Sequence, residues 1–144
     1  MSKSNKYLKK IKDLASKNLI EGEDFLKNNA LNPNVHVLDS GLQYEVLVEG
    51  IGKKPQVKDK VLCHYKGELL NNEIFDSSYA RKKPEIFLIK ELISGFKQAL
   101  LLMPVGSKWR LFIPPKLGYG FESLTPTSGG NLTLIFEVEL LSVI

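Results

Sequence analysis

Residues 61–78 read VLCHYKGELLNNEIFDSS, and this stretch decides the fold because it holds two strands, a turn and a clean separation of faces. Successive strand side chains point to opposite faces. Val61, Cys63, Tyr65, Gly67 and Leu69 therefore share the side that seeks a core, while Leu62, His64, Lys66 and Glu68 share the other. Asn71 and Asn72 tolerate the left-handed backbone of a tight hairpin, and Ile74 to Ser78 return as the second strand. Within that return, Phe75 beside Asp76 is an unusual pairing.

Working outward, Leu42, Tyr44, Val46 and Val48 alternate with polar neighbours, Leu47 excepted, and predict a half-buried strand. After the hairpin, a basic bulge from Tyr79 to Lys83 precedes Pro84 and a short apolar strand from Ile86 to Ile89. A helix follows, with Leu92, Ile93, Phe96, Ala99, Leu100 and Met103 on a broad apolar face. It is short and apolar enough to lie buried, and Pro104 with Gly106 stops it. Trp109, Leu111 and Ile113 then alternate with Lys108, Arg110 and Phe112. A long loop carries Leu117-Gly118-Tyr119-Gly120 and runs through Pro126, Gly129 and Gly130. In the last strand Leu132, Leu134, Phe136, Val138 and Leu140 point inward and Thr133, Glu137 and Glu139 outward. The fold class is α+β: an antiparallel β-sheet, a half-barrel, wrapped around a short α-helix.

Ahead of the strands, residues 4–29 carry a helical stripe of Tyr7, Leu8, Ile11, Leu14 and Ala15, taken up again by Phe25 and Leu26. Asn18 and Gly22 interrupt it. A mid-helix Gly costs about 1 kcal/mol relative to Ala, so the helix is expected to bend or divide there. Asn32-Pro33-Asn34 ends it, and a linker to about Ser40 follows. The division is an N-terminal helical extension over 1–34 and a folded domain over 35–144.

The 144 residues suffice for one compact domain with an appendage. No apolar run approaches the roughly 20 residues of a membrane span. The start MSKSNKYLKKIKDL shows no apolar leader, which gives a cytoplasmic expectation and leaves an exported mature form open. Cys63 has no partner for an internal disulfide, and His64 beside it points to the opposite face, so a thiolate dyad is excluded. His36, His64 and Cys63 offer no metal-ligand spacing, and neither metal nor cofactor is expected. A net charge of +4 without a stripe of interleaved basic and stacking residues reads as a solvated surface, not a nucleic-acid interface. Asn131-Leu132-Thr133 matches a glycosylation acceptor but opens an apolar strand, and is read as accidental.

HYKGELL, FDSS, LISGF, LLMPVGSKWRLFIP, LGYG and LTLIFEVELL together resemble the FKBP-type peptidyl-prolyl isomerases in order, spacing and type. The resemblance covers about Gly41 to Ile144. The preceding helix and the junction SGLQYEVL resemble the bacterial macrophage-infectivity-potentiator branch, whose members often carry a helical dimerisation region there. The implied activity is isomerisation of X-Pro bonds in peptides and unfolded proteins, and its alternative is a non-catalytic module holding proline segments in the same pocket. Rotation of such a bond crosses a barrier of about 18 to 20 kcal/mol set by amide resonance, and a dry cup with fixed dipoles can favour the twisted state without nucleophile or metal.

By the same resemblance, Tyr65, Phe75, Leu92, Ile93, Phe96, Tyr119 and Phe136 line the proline pocket, with Phe96 at the floor where many relatives have Trp. Asp76 stands at the rim and orients the twisted amide, while the Ile93 amide N–H and the Tyr119 hydroxyl bond substrate carbonyls. A macrolide such as rapamycin is an implied ligand, and a weak homodimer through the N-terminal stripe an implied assembly. Removing the extension is expected to leave short-peptide isomerisation almost unchanged. The pattern departs at Leu124, Thr127 and Ser128, in a loop that closes over residues flanking the proline, and at Glu85.

Overall fold

A computed structural model describes residues 3–144, with side chains from residue 5 onward. In chain order the elements are α1 (Lys3–Asn29), β1 (Val35–Val37), β2 (Gln43–Val48), β3 (Lys60–Glu68), β4 (Ile74–Ser77), β5 (Glu85–Leu88), α2 (Ser94–Leu102), β6 (Lys108–Ile113) and β7 (Leu134–Val143). Seven antiparallel strands form one sheet in the order β1-β2-β6-β7-β3-β4, with β5 beside β4 on the same edge of β3. The sheet curves around α2, giving the α+β half-barrel expected from the alternation.

The hairpin at the centre is as read. Val61, Cys63, Tyr65 and Leu69 are buried and their neighbours half-buried. Asn72 turns the chain with a φ of 71°, a conformation asparagine tolerates better than most side chains. β3 pairs along its length with β7, and β7 with β6. Leu100 and Met103 of the helical segment meet Leu111, Leu134, Val138 and Leu140 from these strands, all without solvent exposure. Each such side chain contributes about 1.5 to 3 kcal/mol on burial, which is why so short a helix is held. The Leu47 exception is a β-bulge: β2 pairs Val46 with Trp109 and Val48 with Lys108, leaving Leu47 as the additional residue.

The N-terminal region differs from its reading in three respects. First, α1 does not divide at Gly22 but runs on as one helix to Asn29. Gly22 is the point where the helix crosses Thr133, and a Cβ there would overlap the Thr133 Oγ1. Second, Asn18 is a docking residue, its side-chain amide donating to the carbonyls of Ser128 at 2.7 Å and Gly130 at 2.9 Å. Third, residues 35–37 are a strand and not a linker: β1 pairs with β2 through Val35 opposite Glu45 and Val37 opposite Gln43.

Docking continues towards the C-terminus of α1, where the Phe25 ring lies 5.9 Å from that of Phe112 and Gln43 bridges Leu26 and Asn29. This accounts for two residues whose strand parity points outward. Phe112 and Thr133 are buried because α1 covers that face of the sheet. Among the described residues no helix is long and apolar enough to cross a membrane, and no cluster of three His, Cys, Asp or Glu side chains could hold a metal ion.

Candidate active site

Where α2 enters the concave face of the sheet, its first turn leaves a cavity of about 230 Å³. Tyr65 comes from β3, Phe75 and Asp76 from β4, Phe136 from β7 and Phe96 from α2. Leu92 and Ile93 approach from the segment just before α2, and Tyr119 from the loop after β6. All eight residues singled out in the sequence therefore meet at one place. Phe87 of β5 and Glu91 complete the lining.

Edge-to-face contacts build the walls. Phe136 meets Phe75 at 5.5 Å and 90° and Phe96 at 5.4 Å and 86°, while Phe87 meets Tyr65 at 5.4 Å and Phe96 at 5.8 Å. Such perpendicular pairs set positive ring edges against negative faces and fix each ring's orientation. Room for them comes from Gly67, where a Cβ would lie 2.6 Å from Phe75 and 2.8 Å from Phe136. An apolar alternation that reaches glycine at this position is therefore part of the cup.

At the rim, the Tyr65 hydroxyl donates to Asp76 Oδ2 at 2.6 Å and Arg81 Nη1 donates to Asp76 Oδ1 at 2.6 Å. Arg81 also donates through Nη2 to the Tyr65 oxygen at 2.9 Å and to Glu85 at 3.3 Å. Partial desolvation pushes the Asp76 carboxyl up, but the Tyr65 hydroxyl and Arg81 outweigh it and hold the group below its ordinary range. Burial, with the bond to Asp76, pushes Tyr65 up to about 12. Burial and the Asp76 charge also raise Tyr119. At neutral pH Asp76 thus stands at the cup as a carboxylate, and Tyr65 and Tyr119 as protonated phenols. Among the described residues, no protein group bonds the Tyr119 hydroxyl.

The pair Tyr65 and Asp76 is held from behind by Ser78, which is fully buried. Tyr65 N–H donates to Ser78 Oγ at 2.7 Å, Ser78 N–H donates to the Tyr65 carbonyl at 2.9 Å, and His64 Nδ1 shares a 2.8 Å hydrogen bond with the same hydroxyl. Ile93 is the residue before the first turn of α2, and its side chain makes no capping hydrogen bond.

Arg81, Phe87 and Ser78 were not identified from the sequence. Phe87 had a signal: it lies opposite the inward Val61, so strand parity alone would have placed it in the cup. Arg81 had none beyond its charge. It reaches Asp76 from a bulge in which the following residue, Lys82, has a φ of 55°. A larger hollow of about 600 Å³ lies between α1 and residues 114–121, but its walls bring no held carboxylate to an aromatic floor.

Residues 52–141 match the family model described as FKBP-type peptidyl-prolyl cis-trans isomerase, and residues 1–46 match the domain amino-terminal to FKBP-type peptidyl-prolyl isomerase. Outer membrane protein MIP of Legionella longbeachae is 42% identical over 129 residues, which is 90% of this chain and 55% of that protein. The FKBP-type 22 kDa peptidyl-prolyl cis-trans isomerase of Escherichia coli strain K12 is 44% identical over 124 residues, 86% of this chain and 60% of that protein. The chain thus spans little more than half the length of these curated relatives. The crystal structure of FkpA from Escherichia coli superimposes with a TM-score of 0.88 at 35% identity, covering 94% of this chain and 63% of that one. A peptidyl-prolyl cis-trans isomerase from Pseudomonas syringae gives 0.80 at 35% identity, covering 89% and 94%.

Proposed function

The chain belongs to the FKBP-type peptidyl-prolyl cis-trans isomerase family, and on that premise we propose that it accelerates isomerisation of X-Pro bonds in peptides and unfolded proteins. The observation that carries the reading is the Asp76 carboxylate, held by Tyr65 and Arg81 at the rim of a closed set of aromatic walls. The prolyl ring enters between Phe75, Phe96, Phe136 and Tyr65, with Leu92 closing the side. The cup replaces water around the planar amide, whose resonance and polarity water stabilises, so the twisted state loses less on entering.

Fixed groups then act on the twisting bond. The Ile93 N–H, at the partly positive start of α2, and the Tyr119 hydroxyl bond the substrate carbonyls. Asp76 supplies a fixed negative potential that orients the amide, and it need not take up a proton. Each 1.36 kcal/mol by which these groups favour the twisted state is about tenfold in rate. The same walls suit a proline-mimicking macrolide such as rapamycin, which should compete with peptide.

The domain reading is an extension over 1–34 and an isomerase domain over 35–144, supported by the pairing of β1 and β2 into the sheet. We further read the exposed Tyr7, Leu8 and Ile11 as the seam of a weak homodimer. One relative's name places it in the outer membrane, and fractionation of the native host decides between an exported and a cytoplasmic site of action. The deciding experiment is a protease-free isomerisation assay on short X-Pro peptides. Catalysis that rapamycin abolishes is expected. Saturable peptide binding without acceleration would leave only a binding module.

A further inference from the structure

The loop from Phe121 to Gly130 begins two residues after Tyr119 and ends against α1. Its two ends are pinched together: Asn131 N–H donates to the Gly120 carbonyl at 2.7 Å, and Gly130 lies so close to Phe121 that any Cβ would overlap the Phe121 backbone. Inside, Ser128 Oγ accepts from the backbone N–H groups of Leu124 and Thr125, both at 3.1 Å, and Ser123 Oγ accepts from Gly129 N–H at 3.1 Å. A loop so stapled moves as one piece. That piece is held to the rest of the molecule by Leu124, which packs against the core, and at its closing end by the helix.

Asn18 donates both amide hydrogens into the loop's closing end, to Ser128 and Gly130. Asn131 returns the contact by donating to the Ala15 carbonyl at 3.3 Å. Between them Gly129, at a φ of 71°, passes so near Leu14 that a Cβ would lie 2.6 Å from its Cγ. Contact therefore runs without a gap from Asn18 through residues 128–131 to Gly120 and so to Tyr119, whose hydroxyl no other protein group fixes among the described residues. We propose that Asn18 is a positioning residue for the cup: by clamping the loop it sets where Tyr119 stands over the bound proline. This rests on the isomerase reading given above, and on no contact between Asn18 and substrate.

The test is a double-mutant cycle of Asn18→Ala and Tyr119→Phe, with Ser16→Ala on the exposed side of α1 as control. Kinetics on a short X-Pro peptide are run beside hydrogen exchange of residues 119–131. Asn18→Ala should speed exchange across the loop and lower kcat/KM about fivefold, equivalent to about 1 kcal/mol, while Ser16→Ala changes neither. In the Tyr119→Phe background the Asn18→Ala loss should shrink to less than about twofold. Asn18→Asp, which keeps the shape but lacks the donors, should behave as the alanine variant does. An Asn18→Ala protein with unchanged kcat/KM overturns the inference, and so does a loss of equal size in both backgrounds. If the unaltered protein fails to catalyse, the isomerase reading falls and the clamp is judged from exchange alone: faster exchange at Tyr119 and Gly120 in Asn18→Ala sustains it, and unchanged exchange overturns it.

Discussion

Asp76 is a surface-reaching carboxylate with both oxygens already bonded, and this fixes how the protein should respond to pH. Its folded pKa lies below its ordinary value, so its contribution to stability is fully present above about pH 4 and is lost as the pH falls through the lower, folded value. Tyr65 and Tyr119 are shifted upward, so both phenols stay protonated well into the alkaline range. The pH profile of kcat/KM should therefore be level across neutrality and decline only in the acid range of an ordinary carboxylate or below. A limb between pH 6 and 8 would mean that some other group controls the rate. Asp76→Asn should lower kcat/KM and remove the acid limb while moving the melting temperature little, because the side chain is substantially exposed. Gly67→Ala should do a different kind of damage. Its Cβ would displace Phe75 and Phe136, at a cost of about 1 to 3 kcal/mol, lowering both activity and melting temperature. Tyr65 and Phe136 were legible because strand parity and the family pattern both pointed to them, and Phe75, Phe96 and Tyr119 because the family pattern did. Arg81 was not, since charge and hydropathy do not reveal that the bulge after β4 carries it back to Asp76.

At the scale of the element, helix α1 separates what a sequence knows about itself from what it knows about its neighbours. Local propensity says that Gly22→Ala should stabilise the helix by about 1 kcal/mol. Docking says the opposite, because the added Cβ meets the buried Thr133 side chain. We expect a lower melting temperature for Gly22→Ala, a larger loss for Gly22→Val, and substantial recovery in the Gly22→Ala, Thr133→Ala pair. Thr133→Ala alone should cost little, since its hydroxyl is buried without a hydrogen-bond partner. If Gly22→Ala raised the melting temperature, the close crossing of α1 over β7's approach would be wrong. Asn18 and Gly22 looked like faults in a stripe because periodicity compares a helix only with itself. Their partners lie more than a hundred residues away, Asn18's in a loop without periodicity and Gly22's at Thr133, just ahead of β7. Strand β1 escaped notice for a simpler reason: three residues, Val35–Val37, cannot display an alternation.

On the scale of the whole molecule, α1 is too long for the surface it covers. At about 1.5 Å per residue its 27 residues span some 40 Å, and from Leu14 onward they dock on the sheet and loop. The turns before that point leave Tyr7 66%, Leu8 55% and Ile11 42% exposed. Side chains spaced one and four apart form a seam that a second copy can cover with its own, as an isologous contact does. A few turns of helix bury less than the roughly 1,000 Å² of a stable interface, so the dimer should be weak and dependent on concentration. Two cups held near one unfolded chain raise effective concentration without altering either site. Deleting 1–34 is a poor way to test this, and its expected neutrality towards short peptides gives way once the helix is seen to dock. Deletion also removes Asn18, Gly22 and the Phe25 cover over Phe112, so we expect it to lower peptide activity and stability together. Tyr7→Glu with Ile11→Glu leaves every docking contact in place and places like charges at the seam. Sedimentation of this variant should give monomer where the unaltered chain associates, with short-peptide kcat/KM unchanged and assistance to a slow, proline-limited refolding protein reduced. An unaltered chain that stays monomeric at high concentration, or a charged variant that associates as before, would remove the seam from the account and leave the cup as it is.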